Sequence, residues 1–254
     1  MTLIKEDTDP STEVPEGLAT SETPCTFDGA FYEKAKQYWS KIEPTVDGVL
    51  GGFGYISQSD ITGSKTFLHG LFAIAQPPKK RRALDCGAGI GRVTKHLLAH
   101  FFEKVDLVDQ NSDFVNQVTK YTGSIPQIGE LYIAGLQEFK PVHQYDVIWC
   151  QWVLGHLTDS DLVEFMKKCQ NSLTEEGVII IKENLTSTGN VEVDSVDSSV
   201  TRPLNRLEEI FNSAGLEIVS QMYQKNFPKG LYPVIMMAMR PRKTIDSTSI
   251  NQCS

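Results

Sequence analysis

The chain has 254 residues, of which 40% are apolar, enough for one large domain with a buried core. Its 24 basic and 32 acidic residues give a formal net charge of −8, which argues against a nucleic-acid partner and favours a cationic one. The five cysteines include no Cys-x-x-Cys pair, so we expect reduced thiols in an intracellular protein rather than a disulfide framework or a metal site.

Residues 1–27 are rich in Pro, Ser, Thr and Glu and poor in large apolar side chains, which is typical of a disordered segment. They contain no apolar signal segment, and no run elsewhere is long enough to cross a bilayer. We therefore predict a disordered tail over 1–27, a soluble protein without membrane association, one domain over 28–240, and a flexible tail over 241–254.

Residues 28–76 are predicted to form a helical cap. Aromatic and aliphatic side chains recur at helical spacing over Phe31–Trp39 and over Phe67–Ile74. The glycine-rich stretch Gly48–Gly54 between them indicates a flexible loop.

After Pro77 and Pro78, short aliphatic runs alternate with amphipathic helical stretches, which predicts a doubly wound α/β sheet with helices on both faces. The strand-like runs are 83–85, 104–108, 132–133, 146–149 and 178–181. The last two runs, 216–221 and 234–239, are too close for a helical crossover and should form an antiparallel pair at the edge. The basic run Lys79–Arg82 fits either a nuclear address or the solvated start of a strand.

The segment Ala83–Arg92 reads as a strand, a glycine turn and a helix start, the arrangement that lets a cofactor approach the backbone closely. Its glycines at 87, 89 and 91 do not match the dinucleotide fingerprint, and Asp85 would repel a pyrophosphate. S-adenosylmethionine has no phosphate and carries an ammonium group that an acid attracts. The loop therefore predicts a Rossmann-like class I methyltransferase fold with this cofactor; the alternative is a purely structural turn.

Polar side chains follow the next three predicted strands. Asp109 ends the second strand, where its carboxylate can accept both ribose hydroxyls, or else cap the next helix. Gln137 follows the third strand and can meet the adenine edge, and Gln151 follows the fourth. All three lie at the carboxyl edge of the sheet, where the crevice of such folds opens.

Four segments together resemble the eukaryotic α-N-terminal protein methyltransferases: 46–52, 84–92, 149–159 and 196–200. Glycine loops like 84–92 occur in all class I methyltransferases, whereas Gln-Trp-Val-Leu-Gly-His (151–156) and Val-Asp-Ser-Ser-Val (196–200) are specific to this family. The resemblance covers about 31–240. It implies methylation, with S-adenosylmethionine converted to S-adenosylhomocysteine, of the free α-amino group of proteins that begin with Xaa-Pro-Lys or Xaa-Pro-Arg after Met removal.

The resemblance also implies site residues. The implied cofactor contacts are Trp39, Gly87, Gly89, Arg92, Asp109, Gln110, Leu136, Gln137 and Gln151, of which Arg92 could pair with the methionine carboxylate. The implied contacts to the substrate N-terminus are Leu50, Ile56, Trp152, Asn184, Asp194, Asp197, Ser199 and Tyr232. The implied general bases are His156 and Asp197. We further expect a monomer in the nucleus and cytoplasm.

The proposed chemistry needs a base, because an α-amine with a pKa of about 7.7–8.0 is mostly protonated at neutral pH. His156 follows the fourth strand and can accept that proton, or it can serve only the start of the next helix at Thr158 or Asp159. Asp194 and Asp197 can hold the ammonium groups of the substrate, unless they are simply solvated loop residues.

Apolar residues are candidates for recognising a second-position proline. Trp152 can stack on its ring, or else pack in the core. Leu50 and Ile56 can line an apolar slot that the glycine-rich loop closes, unless that loop is merely mobile surface. Two other functions stay open: a class I methyltransferase for a small molecule or a protein side chain, and a silent binding protein on the same fold.

Overall fold

The computed structural model describes residues 30–123 and 125–243. The predicted tail over 1–27 and residues 244–254 of the predicted C-terminal tail lie outside these residues. Within the described ranges, no helix is both long and apolar enough to span a bilayer.

A seven-stranded sheet has the order β3-β2-β1-β4-β5-β9-β8. Its strands are β1 (Arg82–Cys86), β2 (Lys104–Asp109), β3 (Ile128–Ile133), β4 (Tyr145–Gln151), β5 (Leu173–Asn184), β8 (Leu216–Tyr223) and β9 (Val234–Pro241). The first five are parallel, while β9 is antiparallel to both β5 and β8. This is the class I Rossmann-like arrangement that the sequence predicts. The predicted antiparallel pair is present, with β8 at the edge and β9 extending one residue beyond 240.

Helices cover the sheet. They are α1 (Phe31–Trp39), α2 (Val46–Val49), α3 (Ser57–Leu71), α4 (Arg92–His96), α5 (Ser112–Thr122), α6 (Asp159–Gln170) and α7 (Leu204–Ser213). All residues of β4 and the last eight of β5 are buried, as expected for parallel strands covered on both faces. Apolar side chains alternate between two core clusters, with Leu84 and Cys86 on one face and Ala83 on the other.

The cap differs from its prediction. Helix α1 has the predicted bounds, but α3 begins at Ser57, ten residues before the predicted start, because its buried face includes Asp60 and Ser64, which interrupt the apolar period. The predicted flexible loop Gly48–Gly54 overlaps the end of α2, where Thr45 Oγ1 accepts from Gly48 N at 3.0 Å, and the start of a 3-10 turn over Gly54–Ile56.

The predicted loop with the two acidic residues is a small hairpin of β6 (Glu192–Asp194) and β7 (Ser199–Thr201). The predicted basic run is partly bound within the fold: Arg82 lies in β1 and donates to buried Asp106 at 2.8 and 2.9 Å. Strand order reverses between β1 and β4, and the carboxyl ends of these strands therefore open a crevice.

Candidate active site

The crevice beyond β1 and β4 is a cavity of about 970 Å³, counting its open mouth. Every residue that the sequence predicts as a cofactor contact lines it: Trp39, Gly87, Gly89, Arg92, Asp109, Gln110, Leu136, Gln137 and Gln151. The structure thus brings this predicted set together, and the individual contacts remain predictions.

The glycine loop follows β1 with its backbone open to the cavity. Gly87, Gly89 and Gly91 have φ values of 68°, 55° and 83°, a region that disfavours other residues. A Cβ on Gly87 would lie 2.6 Å from the side chain of Val153. The loop therefore needs glycine for both conformation and space.

Asp109 is held by the same loop. Its Oδ2 accepts from Gly89 N and its Oδ1 accepts from Asn111 N, each at 2.8 Å, while burial raises the pKa of its carboxyl. Asn111, not Asp109, caps α5, since Asn111 Oδ1 accepts from Asp113 N at 2.9 Å. The carboxylate is thus oriented at the cavity wall without serving as a helix cap.

Asp85 lies beneath the loop and is buried. Its Oδ2 accepts from Thr94 N at 3.1 Å and from Thr94 Oγ1 at 2.6 Å, which ties β1 to α4. Burial raises the pKa of Asp85 to about 7. The predicted acid therefore lines the cavity, but it also has a structural role that the sequence did not indicate.

A buried ionic cluster, which the sequence analysis missed, forms the adjoining wall. Asp60 Oδ2 accepts from Arg92 at 2.7 Å, and Asp60 Oδ1 accepts from Gln151 Nε2 at 2.8 Å and from Lys182 Nζ at 2.5 Å. Burial raises the pKa of Asp60, but the two cations outweigh this and lower it. Two basic side chains face one carboxylate, and burial lowers the pKa of Lys182. Arg92 is paired with Asp60 and, unlike Lys182, lines the cavity.

Trp39 and His156 connect the cap to the cavity. The Trp39 indole donates to His156 Nε2 at 3.0 Å, so His156 Nδ1 carries the hydrogen and faces the Ser198 carbonyl oxygen at 3.3 Å. Burial lowers the pKa of His156 to about 4. Thr158, not His156, caps α6, since Thr158 Oγ1 accepts from Asp161 N at 3.2 Å. His156 is therefore neutral, with both ring nitrogens engaged.

A second cavity, of about 340 Å³, adjoins the first. Its lining residues are Trp152, Gly155, His156, Glu183, Asn184, Ser199, Val200 and Thr201. Trp152 and His156 line both cavities and so form the boundary between them. The buried atoms Trp152 Nε1 and Asn184 Oδ1 have no hydrogen-bond partner among the described residues. Such unpaired buried polar atoms are unfavourable unless a ligand supplies the partner.

The acidic hairpin borders this second cavity through Ser199. Asp194 pairs with Ser199 across the hairpin, and Ser199 Oγ donates to Asp197 Oδ1 at 2.6 Å. Asp194 Oδ1 accepts from Val196 N at 2.7 Å, whereas its buried Oδ2 has no partner within the described chain. Tyr38, which the sequence analysis missed, is near these acids: burial and the charges of Asp197 and Asp194 raise the pKa of its hydroxyl.

Five predicted substrate residues do not line this second cavity: Leu50, Ile56, Asp194, Asp197 and Tyr232. Leu50 and Ile56 are only 1% and 2% exposed, so in this conformation they form no open apolar slot. Ile56 packs with Trp39 in a separate apolar cluster. Tyr232 donates to Glu192 of the hairpin. The predicted apolar slot is therefore absent from the described conformation.

Lys182 and Glu183 are the clearest omissions from the predicted site. They end β5 directly after the aliphatic run Val178–Ile181, and both are buried. Charged residues at the carboxyl end of a buried parallel strand face the crevice, so this signal was available in the sequence. Asp60 had no such signal, because the tertiary packing of α3 brings it to the site.

Comparisons with known proteins agree with this geometry. A family model described as AdoMet dependent proline di-methyltransferase matches residues 28–240. The chain is 48% identical over 218 residues to an Alpha N-terminal protein methyltransferase 1 of Drosophila melanogaster, covering 84% of this chain and 78% of the relative. It is 47% identical over 215 residues to a human N-terminal Xaa-Pro-Lys N-methyltransferase 1, covering 83% and 95%. A solved SAM-dependent methyltransferase of Leishmania major superposes with a TM-score of 0.78 at 36% identity, covering 83% of each chain.

Proposed function

The chain belongs to the AdoMet-dependent proline di-methyltransferase family, and from that premise we propose that it methylates the free α-amino group of proteins beginning with Xaa-Pro-Lys or Xaa-Pro-Arg. The family resemblance inferred from the sequence motifs is thereby confirmed. The chain is a methyltransferase that uses S-adenosylmethionine, and protein N-termini are its substrates.

One observation supports this function most directly: two cavities meet at Trp152 and His156. The larger is bordered by the glycine loop and Asp109, and the smaller by the Asn184 amide, whose Oδ1 has no partner among the described residues, and by Ser199, which bonds to Asp197 of the acidic hairpin. A methyl donor in the first and an amine in the second would meet at this boundary. A peptide N-terminus suits the smaller cavity, because the carboxylates of the adjoining acidic hairpin attract its ammonium group and its backbone can pair with the Asn184 side chain.

The residues present fit S-adenosylmethionine. Asp109 presents a carboxylate that backbone N–H groups already orient, as a ribose diol requires. The Arg92 guanidinium, which lines the larger cavity, suits a carboxylate. When bound, the cofactor supplies an electrophilic methyl group on a positively charged sulfur.

The amine must lose a proton before it can attack. We assign this step to Asp197 and His156, the two predicted bases. His156 accepts a proton only after the Trp39 hydrogen leaves Nε2, because that lone pair is already engaged. The unpaired Asp194 Oδ2 suits the side-chain cation of a third-position Lys or Arg.

Mass spectrometry tests the proposal. A hexapeptide beginning Ser-Pro-Lys should gain mass in steps of one methyl group with S-adenosylmethionine, whereas its N-acetylated copy should not react. Equal reaction of the acetylated peptide would exclude the α-amine as the acceptor.

Asp197→Asn separates this function from a methyltransferase for small molecules. We expect a loss of about 100-fold or more in peptide kcat/KM with the cofactor Kd unchanged, since general-base catalysis contributes about 10²–10⁴-fold. Full activity of Asp197→Asn on the peptide would exclude Asp197 as a base.

We also propose that the protein acts as a monomer in the nucleus and cytoplasm. The basic run Lys79–Arg82 supports the nuclear part, although Asp106 holds Arg82 in β1. Gel filtration tests the oligomeric state, and a dimer would contradict the monomer. Imaging of a tagged Lys79→Ala/Lys80→Ala variant tests the nuclear address, and an unchanged nuclear signal would contradict it.

A further inference from the structure

Glu183 is a buried carboxylate of the second cavity that has no role in the function proposed above. It is 9% exposed and lies at the end of β5. Its two neighbours in sequence lie at different sites: Lys182 belongs to the ionic cluster with Asp60, and Asn184 lines the second cavity. What Glu183 contacts is the turn that carries Trp152 and His156.

The backbone of Trp152 is held in an unfavourable conformation. Its φ is 54°, in the left-handed region, which costs a residue with a Cβ about 1–2 kcal/mol. Trp152 N donates to the Lys182 carbonyl oxygen at 3.0 Å. The next two N–H groups, of Val153 and Leu154, both donate to Glu183 Oε1 at 3.0 Å. Three consecutive N–H groups are thus bound by two consecutive residues of β5.

Arg202 holds the other end of the same turn. It is 2% exposed, and it donates to the carbonyl oxygens of Leu154 at 3.1 Å and of Leu157 at 2.6 Å. Its Nε also donates to Asp159 Oδ1 at 2.7 Å. A buried carboxyl group, whose pKa burial raises to about 7, therefore binds the N–H groups of the turn. The buried Arg202 guanidinium binds its carbonyl groups, and His156 lies between the two.

We propose that Glu183 is a positioning residue for methyl transfer, acting through Trp152 and His156, which it holds at the boundary between the cavities. The proposal rests on the proposed function. What the turn requires is an acceptor oxygen at the position of Oε1, because both bonds end on that single atom. Catalysis is sensitive to such positioning, since a displacement of about 1 Å can reduce a rate about 100-fold.

Glu183→Ala and Glu183→Gln form the central test. Alanine removes the acceptor, so we expect kcat for the Ser-Pro-Lys peptide to fall about 100-fold while the cofactor Kd by calorimetry stays within about threefold. Glutamine keeps an acceptor oxygen, so we expect activity within about fivefold of the parent chain and an unchanged pH profile of kcat. Glu175→Ala, at an exposed position of the same strand, is the matched control and should leave both constants unchanged.

Three results would overturn the proposal. Parental activity of Glu183→Ala would show that the turn needs no acceptor. Equal inactivity of Glu183→Gln, with cofactor binding intact, would show that the charge is needed and would make Glu183 a catalytic base. Parallel loss of cofactor binding would indicate a merely structural role.

Two further conditions keep the test decisive. If Glu183→Ala does not fold, Glu183→Met fills the same space without an acceptor and should show the same loss of kcat. If the parent chain itself does not methylate the peptide, the proposed function fails, whereas a normal parent with an unaffected Glu183→Ala contradicts the positioning role alone.

Discussion

In the wall beside the larger cavity, buried polar groups bind one another: Asp60 bonds to Arg92, Gln151 and Lys182. In the wall of the second cavity, the buried Asn184 Oδ1 and Trp152 Nε1 have no partner among the described residues. The first wall is complete in the free protein, whereas the second lacks hydrogen bonds that a ligand can supply.

This difference indicates how stability and function divide between the walls. Removing a group from the complete wall leaves a buried charge unpaired, which is strongly unfavourable. Removing an unpaired group from the other wall leaves nothing unsatisfied, so folding should be little affected while binding weakens. Substitutions in the first wall should therefore mainly lower stability, whereas substitutions in the second wall should mainly lower substrate affinity.

Substitution in the complete wall should change stability most strongly. Asp60→Asn leaves Lys182 and Arg92 buried without their anion, so we expect the free energy of unfolding to fall by about 3–5 kcal/mol. Urea denaturation at pH 7 measures this change. Glu164→Gln, in an exposed pair with Lys167, is the control and should change stability by about 0.5 kcal/mol or less. A loss for Asp60→Asn no larger than the control would contradict the contrast between the walls.

Asn184→Leu tests the incomplete wall. Because Oδ1 has no partner among the described residues, we expect stability to change by about 1 kcal/mol or less, while the KM for the peptide rises about 10- to 100-fold through the lost hydrogen bond. Thermal unfolding and steady-state kinetics measure the two quantities. Asn116→Leu, on the exposed face of α5, controls for added apolar surface. An unchanged KM together with a large loss of stability would reverse our assignment.

The sheet was predictable from sequence because burial on both faces gives parallel strands continuous aliphatic runs, as at Val178–Ile181. The start of β3 was missed because this strand lies at the edge, with Leu131 and Ile133 exposed, and has no buried run. The start of α3 was missed because Asp60 and Ser64 occupy its buried face, where the helical pattern expects apolar residues.

The lining of the larger cavity was also largely predictable, since its residues follow consecutive strands at one edge of the sheet. The surroundings of the second cavity were less predictable. The contact from Trp39 to His156 joins residues 117 positions apart, and only tertiary packing sets it. The roles of Asp60, Glu183 and Arg202 depend on the same kind of long-range contact, which spacing along the chain does not encode.

A smaller effect is expected at Gly87 and Val153, which are in contact and both line the larger cavity. Gly87→Ala introduces a Cβ 2.6 Å from the Val153 side chain, whereas at Gly189, with a similar φ of 77°, a Cβ meets nothing within 4 Å. Both substitutions carry the left-handed penalty of about 1–2 kcal/mol, and only Gly87→Ala adds an overpacking penalty of about 1–3 kcal/mol. The difference between the unfolding free energies of the two variants, measured by denaturation, gives the overpacking penalty at Gly87. Equal losses would show that the loop and the Val153 turn shift apart freely.

The smallest expected effect concerns the pH dependence of cofactor affinity. Burial raises the pKa of Asp85 to about 7. Between about pH 4 and 7 the folded chain therefore binds a proton at Asp85 that the unfolded chain has lost, and the contribution of Asp85 to stability declines as pH rises. The cofactor ammonium favours the ionised carboxyl, so binding should release a proton, and the Kd should fall about three- to tenfold from pH 6 to 7.5.

Calorimetry in buffers of different ionisation enthalpy measures the released proton. Asp85→Asn, whose amide oxygen can still accept from Thr94, should bind with a Kd independent of pH over this range. The same pH dependence in both proteins would place the ammonium away from Asp85 and leave this carboxyl as a purely structural tie between β1 and α4.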